Sequence, residues 1–258
     1  MTTTGTASAA TRDLPARERR RIEAFDRVWS QLLPAVFADV APYYDVASDV
    51  ASLGMCSAFR RRFVAAIRVA PGMRVLDVCA GTNAVGLSLL AREPSLEVVA
   101  FDRSAAMQAV GRDLARARGV RIGSVIGDAH RLPFADQSFD AATLQFASRH
   151  LSVLAVFAEV RRVLKPGGCF YHCDMLRPEN PVIEALYGVY LKGCVSLTAL
   201  AFRSGPEAWR CRDYFVDAIR MFYSPAEIAE ILRSRGFTAV SGRAAFGGAL
   251  AWHRAVRA

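Results

Sequence analysis

Short apolar runs alternate along this chain with longer segments of helical period. Five runs read as buried strands: Arg74–Val78, Glu97–Phe101, Arg121–Ile126, Phe139–Leu144 and Cys169–Met175. Each is too short for a helix and is bounded by polar or small residues. The intervals Ala84–Arg92, Ser104–Arg118 and Ser152–Leu164 carry apolar residues at helical spacing. Ser104 is placed to cap its helix, Asp136 falls in the turn before the fourth strand, and Lys165-Pro166-Gly167-Gly168 stops a helix and turns into the fifth. Strand–helix alternation predicts an α/β fold, a parallel, doubly wound sheet with right-handed crossovers. Farther on, Ser224-Pro225-Ala226-Glu227 opens a helix that Gly236 ends, and Phe237–Ala244 and Phe246–Val256 read as two closing strands, making seven.

Outside this core the pattern changes. Met1–Pro15 is small, polar and turn-rich and reads as a disordered tail. Ala16–Phe37 reads as a helix with Ile22, Phe25, Val28, Trp29, Leu32 and Leu33 near one face and Arg17–Arg21 at its polar start. Ala41-Pro42-Tyr43-Tyr44-Asp45, Ser48–Leu53, Gly54 and a helical Cys56–Ile67 precede the first strand. Pro181–Val216 is a long, mainly helical insertion with few charges, either packed on the N-terminal helices or lining a greasy pocket. No repeat or linker divides the chain, so 16–258 is read as one domain. Within it, 16–70 forms a helical lid, 71–180 the core, 181–222 a substrate-cap insertion and 223–258 the closing helix and strands.

The candidate chemistry gathers at strand ends. Arg74–Gly86 runs from strand through Cys79-Ala80-Gly81-Thr82-Asn83 into a helix. Small side chains there let a ligand approach the backbone, and the helix start offers free N–H groups. Neither G-x-G-x-x-G nor a P-loop is present. Asp77, Asp102 and Asp128 close three successive strands. A carboxylate about 20 residues past such a loop is placed to accept from ribose hydroxyls. Asp77 would repel phosphate but not the amino group and sulfonium of S-adenosylmethionine (SAM); the alternative is three unrelated loop carboxylates.

The 258 residues and 53% hydrophobic content suffice for a full core. The net charge of +9 favours acidic surfaces, or reflects only a preference for Arg on the outside. Six cysteines, at 56, 79, 169, 173, 194 and 211, form no C-x-x-C, and no His cluster has metal spacing, so no metal is expected and a reducing cytoplasm is the simplest compartment. Met1–Ala10 lacks a signal-peptide core, and no stretch reads as a membrane span. Contact with the inner face of a membrane would then be peripheral, through Arg17–Arg21 and Arg60–Arg62. No nucleic-acid module is present, and a homodimer is left open.

With these motifs in view, the chain resembles class I SAM-dependent methyltransferases, and specifically the ubiquinone/menaquinone biosynthesis C-methyltransferases (UbiE-like). The likeness runs from about Val36 to Arg254. VFADVAPYYDVASDVASLG is similar to the family's N-terminal signature, VLDVCAGT to its SAM loop, FDRSAAMQAVGR to its ribose segment and GDAHRLPFADQSFD to its adenine segment. FASRHL resembles its Phe-Gly-x-Arg-Asn stretch, EVRRVLKPGG is generic, and AIRMFYSPAEIAEILRSRGF and FGGALAWHRA resemble its ending. The resemblance implies a Rossmann-like fold with a helical N-terminal extension. It also implies SAM held by Asp77, Ala80, Gly81, Thr82, Asn83, Asp102, Arg103, Asp128 and Ala129. Two departures stand out. The family's Gly-Thr-Gly-Asp is Gly81-Thr82-Asn83-Ala84 here, with Asn the best non-Gly residue for a left-handed backbone, and its Arg-Asn is Arg149-His150.

The implied reaction is C-methylation of a prenylated quinol such as demethylmenaquinol or a ubiquinol precursor. The alternatives are methylation of a soluble small molecule at O, N or C, and a non-catalytic SAM-fold binding protein. Ionising a phenol of pKa near 10 at pH 7 costs about 3 units, about 4 kcal/mol. Arg149 is the candidate to stabilise the phenolate, with a structural salt bridge as its rival. His150 is the candidate base, or a surface residue leading a helix. Tyr44 is the candidate hydrogen-bond partner of the acceptor oxygen, and Tyr43 and Tyr44 either stack on the ring or merely pack.

Overall fold

The computed structural model describes residues 9–52, 54–202 and 206–258, without side-chain detail at 9–12, 206–208 and 210. Strands β1 (Arg74–Val78), β2 (Glu97–Asp102), β3 (Gly123–Ile126), β4 (Phe139–Gln145), β5 (Leu164–Met175), β6 (Phe237–Ala245) and β7 (Leu250–Arg257) form one sheet in the order β3-β2-β1-β4-β5-β7-β6. The first five are parallel, and β7 runs antiparallel between β5 and β6. Side chains alternate between two cores. Leu76, Val78, Phe101 and Phe170 face one with Phe157 and Ile231, while Val75, Val98 and Tyr171 face the other with Phe63 and Leu89. The expected seven-stranded, mostly parallel sheet is thus formed. Strand order reverses between β1 and β4, which opens the crevice at their carboxyl ends.

Helices α5 (Ala84–Arg92), α6 (Ala105–Ala117) and α7 (Val153–Val163) fill the crossovers. Ser104 caps α6, its hydroxyl accepting from the Met107 N–H at 3.3 Å. The Lys165–Gly168 stretch is a correction: β5 already pairs at Leu164 with Phe139, and the Pro-Gly-Gly segment bulges out before Cys169 pairs with Ala141. A Cβ at Gly168 would stand 2.8 Å from the Lys165 carbonyl oxygen, so glycine is what lets the bulge close.

The N-terminal part comprises α1 (Ala9–Arg27), a π-helical turn (Val28–Leu32), α2 (Leu33–Val40), a 3-10 turn (Ala41–Tyr43), α3 (Tyr44–Ala51) and α4 (Met55–Ala66). The disordered-tail expectation fails over 9–15, which begin α1; residues 1–8 lie outside the described ones. Leu14 is buried in the main core and Arg17 pairs with Glu227, so packing outweighs turn-rich composition. Phe25, Trp29, Leu33 and Val36 bury against Tyr214 and Ala218, a core separate from the sheet.

The insertion is two helices, α8 (Pro181–Ala201) and α9 (Pro206–Arg220). Among the described residues α8 alone is long and apolar enough to cross a membrane by length and composition. The sequence reading found no such stretch; α8 here packs on α9 and α3. Helix α10 (Pro225–Ser234) starts with the expected capping box: Ser224 Oγ accepts from the Glu227 N–H at 3.4 Å and Glu227 Oε2 from the Ser224 N–H at 2.8 Å.

Candidate active site

The β1 loop folds as its small residues allow. Asn83 is left-handed (φ 64°, ψ 22°), the conformation foreseen for Asn in place of glycine, and Gly81 has φ 55°. Gln108 of α6 secures the loop from beneath, its Nε2 donating to Gly81 O at 3.0 Å and to Asn83 Oδ1 at 2.7 Å. The Asn83 carboxamide oxygen is thus taken by Gln108 and the Thr82 hydroxyl by Asp45, and Ala80 contributes its backbone, donating to Phe101 O. A Cβ at Gly81 would meet nothing within 4 Å, so space lies open over the loop.

Asp77 sits at the β1/β4 switch. It accepts from Thr143 Oγ1 at 2.6 Å and from the Gly86 N–H at 3.1 Å. Burial pushes its carboxyl up to about 6 against the pull of those two hydrogen bonds. Asp102 bridges the loop to α6, accepting from the Gly81 N–H at 2.8 Å and the Ser104 N–H at 2.7 Å, and burial raises it too. Asp128 lies at the rim; burial opposes ionisation there, but hydrogen bonds from the His130 backbone and ring hold it below the usual carboxylate range. The three acids share one neighbourhood. Cys79 lies among them, its thiol held well above the usual range by burial and then by Asp102, Asp77 and Asp128. Arg103 turns away, donating to Trp29 O at 2.8 Å, while Ala129 is buried beneath the rim. A set of carboxylates beneath open space fits a cationic ligand with hydroxyl groups and does not fit a phosphate.

Beside this crevice lies a cavity of about 530 Å³ between the N-terminal helices and α8. Its wall is mostly apolar, with Tyr44, Arg60, Arg149 and Tyr187 among its polar members. Arg149 follows β4 and is 5% exposed; its Nη1 donates to Asp174 Oδ1 at 2.6 Å and to Phe146 O at 2.8 Å. Burial disfavours the guanidinium charge, but the Asp174 charge overcomes it and raises the pKa. Burial raises the Tyr44 phenol and Arg149 pulls it back, which keeps Tyr44 protonated and close to that cation. The salt bridge that rivalled a direct role for Arg149 exists, and Arg149 also lines the cavity. Tyr43 packs instead, its ring stacked on Phe202 at 5.1 Å.

His150 is not brought to this wall. Its Nδ1 lies 2.5 Å from the Tyr214 hydroxyl, and Phe37 and Phe215 pack edge-on against the ring. Burial, then the charges of Arg149 and Arg21, hold it well below its ordinary pKa, so it is neutral at pH 7. Nor is it a surface residue, being 7% exposed.

Three site residues escaped the sequence reading. Asp174 ends β5, and the strand-end rule that selected Asp77 would have found it. Its Oδ2 also accepts from Ser148 Oγ at 2.5 Å, which fixes the turn carrying Arg149. Asp45 ties α3 to the β1 loop: Oδ2 accepts from Thr82 Oγ1 at 2.6 Å and Oδ1 from Arg60 at 2.9 Å. Arg21, expected on a solvated helix face, is fully buried, donating to Arg149 O at 3.0 Å and pairing with Glu18. Only packing reveals it. The Asp45–Thr82 bond should contribute to stability as a charge-assisted hydrogen bond, about 1.5–3 kcal/mol. Urea unfolding of Thr82→Val, Asp45→Asn and the double variant is expected to show a coupling of about 0.5–3 kcal/mol; additive losses would count against this tie.

Known proteins agree with this architecture. Residues 26–257 match the model of the ubiE/COQ5 methyltransferase family. The chain is 39% identical over 221 residues to the demethylmenaquinone methyltransferase of Beutenbergia cavernae, covering 85% of this chain and 88% of that one. It is 38% identical over 224 residues to the one of Renibacterium salmoninarum, covering 86% and 91%. Among solved structures, a SAM-dependent methyltransferase from Aquifex aeolicus superposes with TM-score 0.55 at 19% identity, covering 77% of this chain and 89% of that one. Geranyl diphosphate C-methyltransferase from Streptomyces coelicolor, solved with Mg²⁺, geranyl diphosphate and S-adenosyl-L-homocysteine, superposes with TM-score 0.56 at 14% identity, covering 78% and 79%. These two share the fold. The family model spans nearly the whole chain and the curated relatives exceed a third identity: this protein is a methyltransferase, and it belongs to the ubiE/COQ5 methyltransferase family.

Proposed function

We propose that this protein transfers a methyl group from SAM to a ring carbon of a prenylated quinol of the demethylmenaquinol type, in menaquinone biosynthesis. The observation that carries the reading is a buried, ion-paired arginine, Arg149, lining a mostly apolar cavity beside the acidic crevice. The names of the relatives at 38–39% identity point to the same substrate class.

SAM supplies the electrophilic methyl group, so the chain has only to position and activate the acceptor. Asp102, through lone pairs left after its two backbone bonds, holds the ribose hydroxyls. Asp77 faces the cationic end, Gly81 gives backbone access, and Asp128 with Ala129 borders the base. Arg149 favours the ionised quinol by placing a fixed positive charge beside the oxygen that loses its proton. Tyr44, kept protonated, donates a hydrogen bond to the same oxygen. The described cavity wall holds no carboxylate and no imidazole. The quinol O–H proton therefore leaves to water, with Arg149 lowering the cost of its departure. Once the ring carbon has taken the methyl group, the hydrogen on that carbon leaves to water as the ring rearomatises and the oxygen is reprotonated. His150, held by Tyr214, has no part as base. The apolar remainder of the wall takes the first part of the isoprenoid tail; a cavity of this size buries a drug-sized molecule.

Incubation with methyl-labelled SAM and either demethylmenaquinol or a panel of soluble phenols tests the reading. Label in menaquinol, on carbon, is the expected result. Label in the soluble phenols alone would assign the protein to small-molecule methylation instead, and no label with any acceptor, together with absent SAM binding, would mark a non-catalytic binding protein.

A further inference from the structure

Helix α8 is apolar on the side it turns to solvent. Its two charges are drawn towards α9, Glu184 to Arg220 at 4.0 Å and Lys192 to Asp213 at 3.1 Å. Val182, Leu186, Val189, Leu197 and Leu200 are 51–72% exposed, at spacings that put them on one helical face. Across the cavity mouth, α3 presents Val46 and Val50, also exposed. Single exposed apolar residues are ordinary on a soluble protein, but a contiguous face is not. This face is continuous with the cavity: Met55, Leu186, Tyr190 and Phe246 are at once exposed and part of its wall.

Positive charge lies alongside. Arg60 belongs both to the cavity wall and to a second, shallower depression of about 390 Å³ between α4 and α5, which Arg61 and Arg92 also line. Arg92 is committed to the end of α4, donating to the Val64 and Ile67 carbonyls, whereas Arg61 is exposed. The basic cluster at Arg17–Arg21 is largely spent, since Arg17 pairs with Glu227, Arg20 with Asp13 and Arg21 is buried.

We propose that the α3–α8 face, flanked by Arg61, docks on an anionic lipid bilayer, with α8 lying in the interface and the cavity mouth opening towards the acyl chains. The choice of occupant rests on the lipophilic-acceptor reading above. A second copy of this chain seated on the same face would cover Met55, Leu186, Tyr190 and Phe246 and stop the mouth, whereas a bilayer covers the apolar surface and delivers the acceptor through it. The net charge of +9 draws the protein to anionic lipid, and the burial of the apolar stripe holds it there. Leu191 and Ala199 keep the opposite side of α8 buried in the protein, so the helix rests on the membrane instead of crossing it.

Flotation of the full chain with vesicles tests this without any turnover. Vesicles of phosphatidylglycerol and phosphatidylcholine are expected to bind at least about tenfold more protein than phosphatidylcholine alone, with binding falling as salt rises. Val189→Ser with Leu200→Ser, neither of which lines the cavity, is expected to lower that binding at least about tenfold. The same variant should raise the apparent KM for a prenylated quinol presented in vesicles and leave turnover of its tail-less, water-soluble counterpart unchanged. Equal flotation of variant and parent, or no preference for anionic vesicles, overturns the proposal. So does a dimer in sedimentation equilibrium that the paired substitution dissociates, which would give the face to a second copy. Anionic-vesicle binding that the substitutions abolish, with neither quinol methylated, leaves docking standing and removes the quinol reading.

Discussion

Arg149→Ala is expected to lower kcat for the quinol by about 10²–10³-fold, the size of effect seen when one preorganised donor to a developing negative charge is removed. SAM affinity, measured calorimetrically, should stay within about twofold, because Arg149 lines the mostly apolar cavity and not the β1 loop. The substitution also leaves the fully buried Asp174 without its ion-pair partner. Breaking a buried pair from one side costs about 3–5 kcal/mol, so loss of activity alone could be loss of fold. Arg149→Met combined with Asp174→Asn removes both charges together. That variant is expected to recover most of the melting temperature and the SAM binding while remaining slow. Recovery of turnover along with stability would assign the ion pair to structure alone. Arg149→Lys should recover only part of the rate, since a single ammonium cannot hold Asp174 and Phe146 O in the geometry of the guanidinium fork.

The second large effect is a pH dependence of donor binding set by Asp77. Burial raises its carboxyl from 3.8 to about 6. The sign runs in opposite directions for folding and for binding. A folded-state pKa above the unfolded one stabilises the protein below 3.8, and that contribution is lost as pH rises through about 6. Binding of a cationic ligand needs the ionised form, so SAM affinity should rise with pH and level off above about 6. Below that value the Kd should increase by about tenfold per pH unit. Asp77→Asn keeps the shape and one acceptor towards Thr143 and Gly86, removes the charge and should flatten the profile. Its Kd at pH 7 should be about 10–150-fold higher, matching the 1.5–3 kcal/mol of a hydrogen bond to a charged group. A titration series from pH 5 to 8 by calorimetry distinguishes the cases, and a profile in the parent protein that is already flat would take Asp77 away from the cationic end of the donor.

Much of this site was legible along the chain. Asp77 and Asp102 terminate apolar runs, and the run of small residues after Asp77 leaves room for a close backbone approach. The left-handed conformation of Asn83 followed from the chemistry of one side chain. Asp174 obeys the same strand-end rule and was passed over. It looked like one more strand residue because its partner, Arg149, is 25 residues away.

Local pattern by itself determined the five parallel strands, their connecting helices, the capping box at Ser224 and the small-residue loop after β1. Those features depend on periodicity and on residues a few positions apart, which the sequence displays directly. Tertiary structure alone decided the rest. Arg21 is buried because α1 lies across the turn 128 residues farther on, where carbonyl oxygens and aromatic faces replace its water. Asp45 reaches Thr82 across 37 residues because α3 is brought against the β1 loop. His150 meets Tyr214, and of the two only its neighbour Arg149 lines the apolar cavity. In each case groups distant in sequence set the fate of a polar side chain, since the desolvation cost of a buried polar group is met only where such groups converge.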